Sequence, residues 1–161
     1  MGDVRSTLYG VAAPEQTAAL SGREILQAMI DGELPAPPMA ETLAFILTEA
    51  GDGFVAFEGE TAAKLLNPMG AVHGGWALTL IDSATTCAAL SVLPPGVGCT
   101  TVETKANFAR PIFADSGRVR AEGRVVTQGR RLLTAEAKVT DARGRVLAHG
   151  TSTVMTVGAD R

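Results

Sequence analysis

The sequence predicts an α+β domain in which one antiparallel sheet wraps a single long central helix. Three observations predict it. Residues 76–93 are mostly Ala, Leu, Ile, Val, Cys, Thr and Ser, with Asp82 the one carboxylate among them; a helix apolar nearly all round is a buried helix. After Pro94-Pro95-Gly96 the chain changes to short runs of alternating apolar and polar residues, the period of half-buried strands. The turns between those runs are short, so consecutive strands run antiparallel. A sheet with one face to bury and a helix that must be covered on all sides satisfy each other when the sheet curls around the helix.

A chain of 161 residues, 46% apolar, is long enough for one domain with a real core. A net charge of −3 argues against a general nucleic-acid binder, although basic residues bunch late in the chain and suit a small anionic ligand. Cys87 and Cys99 do not form a disulfide framework and suit a reducing cytoplasm. No basic segment followed by an apolar core marks a signal peptide. The central run is just long enough to span a bilayer, but its Asp, Thr and Ser content argues against that. CxxC pairs, a P-loop and GxGxxG are absent, and the two histidines are too far apart in sequence to make a metal site by themselves. The expectation is a cytoplasmic protein with no metal, no cofactor and neither nucleic acid nor membrane as partner.

Taken in order, residues 1–20 read as a loosely ordered extension. Ser21-Gly22-Arg23-Glu24 is a capping box, and Ile25, Leu26, Met29 and Ile30 follow at helical spacing until Asp31-Gly32 closes the helix. Residues 34–39 are proline-rich and read as an extended linker, so residues 1–40 form an N-terminal extension and 41–158 the main domain. Residues 43–48 and 54–60 are strands joined by the turn Gly51-Asp52-Gly53. Residues 61–66 read as a short helical turn. The central helix follows, and then strands over 99–109, 117–127, 132–140 and 145–157, with turns at Gln128-Gly129 and at 141–144. One such sheet covers only part of a cylinder, so the uncovered stripe of the helix predicts at least a dimer.

The residues suited to chemistry sit at the start and middle of that helix. His73-Gly74-Gly75 opens it, with free N–H groups and the positive end of the helix dipole available to polarise a carbonyl. Glycine there lets a ligand approach the backbone closely, or simply makes a sharp turn. Asp82 is a carboxylate on a buried helix, suited to attack a carbonyl or activate water, or else held structurally by an Arg or by hydroxyls. Thr79, Asp82 and Thr86 share one helix face. Gly74 and Asp82 are eight residues apart, or roughly 12 Å along the axis. One carboxylate therefore cannot serve a carbonyl held at its own helix's N-terminus. Two helices packed antiparallel across a two-fold axis would bring each Asp82 to the other chain's Gly74.

Asn67-Pro68-Met69-Gly70, then His73-Gly74-Gly75 and Asp82, resembles the hotdog-fold acyl-CoA thioesterases, and most nearly the PaaI-like (phenylacetate-degradation) branch related to 4-hydroxybenzoyl-CoA thioesterases. The resemblance spans about residues 40–157. It implies a sheet wrapped around a long helix, in dimers that pair into tetramers. It also implies roles by position: Gly74 would offer its N–H to the thioester carbonyl, and Asp82 of the opposite subunit would be nucleophile or general base. Asn67 would hold the attacking water or the thioester, His73 would orient the loop, Thr86 would assist the carboxylate, and Thr101 would place a hydroxyl near the water. Gly75 and Trp76 fall beside the acyl group, where Trp76 would wall the pocket or pack the dimer. Coenzyme A is anionic, and Arg110, Arg130 and Arg131 follow turns or strand ends where cations can meet its phosphates.

The expected function is hydrolysis of an aryl or medium-chain acyl-CoA to free acid and CoA. Two alternatives stand beside it. One is a hotdog hydratase or dehydratase acting on enoyl thioesters. The other is a non-catalytic acyl-CoA-binding regulator, which would bind without turnover.

Overall fold

The computed structural model describes residues 8–158. Its elements run α1 (Pro14–Thr17), α2 (Gly22–Asp31), α3 (Pro38–Leu43), β1 (Phe45–Gly51), β2 (Phe54–Glu60), a 3-10 turn (Ala63–Leu65), α4 (Gly74–Leu90), β3 (Gly98–Phe108), β4 (Arg118–Gln128), β5 (Leu132–Asp141) and β6 (Val146–Val157). The six strands make one sheet in the order β1-β2-β4-β5-β6-β3, and every ladder is antiparallel. The sheet curls around α4, which touches all six strands.

Close approach of helix to sheet depends on small residues. Ala77, Ala84 and Ala88 on α4 are fully or nearly fully buried. Gly123 of β4 lies so near the helix that an added Cβ would stand 2.1 Å from the Ala84 carbonyl oxygen. Leu80 and Ile81 then fill the core with Val55, Phe57, Val119 and Val139. Within this one chain the buried residues of α4 form a single stripe (76, 77, 80, 81, 84, 85, 88 and 89), and Leu78, Thr79, Asp82, Ser83, Thr86 and Cys87 on its other side are half-buried, although the helix has no charged face.

The N-terminal part is more ordered than its composition suggests. Ser21 and Glu24 form the expected capping box, and Gly32 ends α2 at φ 77°. Leu26 of α2 joins the central core. Residues 10–20 include the short helix α1, and an isolated parallel bridge joins Tyr9 to Ala36. The expectation for residues 1–7 lies outside the described residues. The linker expected over 34–39 stops early: Pro38 starts α3, a position proline favours, and Leu34 is buried. Ala44 caps α3 in the left-handed region (φ 54°), so β1 begins at Phe45 rather than Leu43.

The strands after α4 fall within a residue or so of their expected bounds. β3 does not pair with β4, its successor in sequence. It lies at the far edge against β6, with Val102 and Phe108 exposed along it. No described helix is long and apolar enough to cross a membrane.

Candidate active site

The expected site residues fall into two clusters on α4. The first is at its N-terminus. His73 is the N-cap, and its Nδ1 accepts the Gly75 N–H at 2.9 Å. The Gly74 N–H, at the first helical position, has no partner among the described residues. The ring of Phe108 lies over Gly74, close enough that an added Cβ would meet it at 3.2 Å. Asn67 Oδ1 accepts the N–H groups of Met69 (2.9 Å) and Ala71 (3.2 Å). Those two donors fix which way the amide faces, and leave its Nδ2 without a partner among the described residues. Asn67, Gly74, Phe108 and Arg110 line one cavity of about 310 Å³. Arg110 donates to the Val146 carbonyl.

The second cluster surrounds Asp82, which is half-buried. Its Oδ1 accepts from Thr101 Oγ1 (2.8 Å) and Thr104 Oγ1 (3.0 Å), with Thr86 Oγ1 at a long 3.5 Å. Thr86 and Thr101 are themselves 2.6 Å apart. Oδ2 has no hydrogen-bond partner, and Asp82 has no basic partner, among the described residues. A carboxylate tied by one oxygen to hydroxyls keeps the other free to take a proton or to attack.

Thr104 carries no signal of its own in the sequence, and the reason is a bulge. A regular strand points residues i and i+3 to opposite faces. The register shift between Thr101 and Glu103 adds one residue, so Thr101 and Thr104 both reach Asp82. Behind Thr104 stands Ser152 of β6 at 2.9 Å, and behind Ser152 stands Thr85 at 2.7 Å. Their one sequence signal is that they are hydroxyls on inward-facing positions.

The remaining expected residues lie apart from these clusters. Trp76 is buried, its Nε1 donating to the Leu43 carbonyl at 2.8 Å. Thr79 Oγ1 donates to the Gly75 carbonyl. Arg130 and Arg131 are exposed at the β4–β5 turn, where the Arg131 carbonyl accepts the Thr156 N–H. Within one protomer they do not meet Arg110, which sits at the other end of the sheet. Cys87 and Cys99 are free thiols, and burial pushes them up to about 12 and about 11 respectively, so neither is poised as a nucleophile. The described residues contain no cluster of His, Cys, Asp or Glu able to hold a metal.

The thioesterase superfamily profile matches residues 69–148, which hold Gly74, Asp82 and all of β3. No sequence among curated proteins matches. Among solved structures, the chain is similar to a candidate thioesterase of Ralstonia eutropha JMP134, described as phenylacetic-acid-degradation-related, at 27% identity and TM-score 0.73 over 81% of this chain and 98% of that one. It is similar to a thioesterase family protein of Silicibacter pomeroyi at 28% identity and TM-score 0.73, over 82% and 98%. It is also similar to a conserved protein of Pseudomonas aeruginosa at 32% identity and TM-score 0.70, over 74% and 94%. The chain belongs to the thioesterase superfamily, as a hotdog-fold, PaaI-like thioester hydrolase.

Proposed function

We propose that the protein hydrolyses an aryl or medium-chain acyl-CoA, at a site completed only by a second copy of the chain. The observation that carries this reading is the separation of donors from carboxylate along one rigid helix. The free N–H of Gly74 and the free Nδ2 of Asn67 share a cavity, while Asp82 lies eight residues further on, or roughly 12 Å along the axis. β3 offers the means of joining them. It is an edge strand of 11 residues with Val102 and Phe108 exposed, a row of backbone groups open to pairing. It touches both clusters, Asp82 through Thr101 and Thr104 and Gly74 through Phe108. Antiparallel pairing of two such edges, with Phe108 of one opposite the Thr101–Thr104 stretch of the other, brings each carboxylate to the other copy's helix tip. These dimers then pair into tetramers.

In this site the Gly74 N–H and Asn67 Nδ2 donate to the thioester oxygen. Asp82 Oδ2 takes a proton from water as the water oxygen adds to the carbonyl carbon. The C–S bond then breaks, and the thiolate leaves with the proton that Asp82 held. His73 holds the Gly75 N–H and so fixes the tip, and Thr86 and Thr101 fix the carboxylate. Arg110, Arg130 and Arg131 receive the CoA phosphates, and Gly75 lies beside the acyl group, whereas Trp76 is buried in the core and supports the helix start from behind. Residues 41–158 carry this machinery, with the described residues 8–40 packed against it. Two free, half-buried thiols suit a cytoplasmic setting.

A thiol-release assay over a panel of acyl-CoAs, wild type beside Asp82→Asn, tests the reading. Release from aryl or medium-chain substrates that collapses in Asp82→Asn supports it. Release that survives the substitution removes Asp82 from the mechanism.

A further inference from the structure

We infer that Thr85, Ser152 and Thr104 form an oriented hydroxyl chain that positions Asp82 for catalysis, with Ser152 as its essential middle link. The inference rests on Asp82 being the catalytic carboxylate. The direction of the chain follows from counting protons. An ionised carboxylate only accepts, so the 3.0 Å contact with Asp82 Oδ1 uses the one hydroxyl proton of Thr104. The 2.9 Å contact between Thr104 and Ser152 must then be donated by Ser152. The 2.7 Å contact between Ser152 and Thr85 must in turn be donated by Thr85, although the carbonyls of Ile81 and Asp82 also lie within its reach. A second arm obeys the same rule: Thr101 donates to Oδ1, so Thr86 donates to Thr101.

Every hydroxyl proton therefore points inward, and Oδ1 is pinned as an acceptor from two sides. Hydrogen bonds in series polarise one another, so the outer links strengthen the innermost. The chain also ties together three elements: Thr85 on α4, Ser152 on β6 and Thr104 on β3, the last two directly opposite in the ladder. Ser152 is 2% exposed and Thr85 is fully buried. Buried hydroxyls this far from solvent need internal partners, and these find them in a line that ends on the carboxylate. The chain leaves Oδ2 as the oxygen that faces the reaction.

The test is a double-mutant cycle in thioester hydrolysis, with kcat and KM read separately. Thr104→Val lowers kcat about tenfold or more, the worth of a hydrogen bond to a charged group, with KM unmoved. Thr104→Ser restores it, because only the hydroxyl matters. Ser152→Ala lowers kcat in the wild-type background and changes nothing further in Thr104→Val, since the link it supports is gone. Thr85→Val, nearly isosteric, reads the same coupling from the far end should Ser152→Ala fold poorly. Independent effects, with the two fold-changes multiplying, overturn the chain. So does a Thr104→Ser variant no better than Thr104→Val. If Asp82→Asn is fully active, the reading of the site fails first. If Asp82→Asn is dead and the cycle shows no coupling, the hydroxyl chain alone fails.

Discussion

Replacing Gly74 with proline removes one N–H and leaves the helix start almost untouched. Gly74 is the first residue of α4, where the N–H has no partner within the helix. Proline is favoured at that position because its fixed φ suits the first turn. The residue before a proline must be extended, and His73 already is, at φ −59° and ψ 131°. A Cβ at this position would meet the Phe108 ring at 3.2 Å, so the ring must give by a few tenths of an ångström. Gly74→Ala adds the same Cβ and keeps the N–H, so the ratio of the two variants isolates the donor. Loss of one oxyanion donor typically costs about 3 kcal/mol, or on the order of 10²-fold in kcat. Thermal unfolding should place both variants close to wild type, and steady-state hydrolysis should separate them by that factor. A Gly74→Pro enzyme as active as Gly74→Ala would show that this N–H is not the donor.

Three further outcomes follow from the same geometry. Replacing both Arg130 and Arg131 with Gln should raise KM for acyl-CoA about tenfold with kcat held, the scale of exposed charge-assisted contacts to phosphate. A truncated thioester without the nucleotide should be indifferent to the change. Burial raises the Cys87 thiol from 9.0 to about 12, so the unfolded chain loses this proton first and stability falls across that interval. Urea unfolding at stepped pH should give Cys87→Ala a slope flatter by about 1.4 kcal/mol per pH unit between those limits, and the same slope as wild type below them. Gly123→Ala should lower the melting temperature, because its Cβ would stand 2.1 Å from a backbone oxygen of α4; overpacking of this kind costs about 1–3 kcal/mol. Gly98→Ala, with nothing within 4 Å, should be neutral.

What could be read from the sequence was local. The capping box at Ser21, the hairpin turn at Gly51-Asp52-Gly53 and the apolar run of α4 each announce themselves within a few residues. The placement of β3 beside β6 rather than β4 is a pairing between distant segments, and turn chemistry carries no signal for it. Helix α3 was hidden because proline-rich composition reads as extended, although proline also starts helices. Asp82 stood out as the one carboxylate in an apolar helix. Thr104 and Ser152 did not, since hydroxyls are common in strands and a single bulge decides which face they take. Arg110, Arg130 and Arg131 were legible as exposed cations, but their position at opposite ends of the sheet needed the fold.

Subunit complementation tests most directly whether one active site draws on two chains. Asp82→Asn and Gly74→Pro chains, each inactive alone, are unfolded together and refolded as a mixture. A mixed dimer then has one site with both defects and one with neither. Random pairing should restore about one quarter of wild-type activity in a two-fold symmetric dimer. A mixture as inactive as its separate components would show that Gly74 and Asp82 serve the same protomer, and would contradict the account.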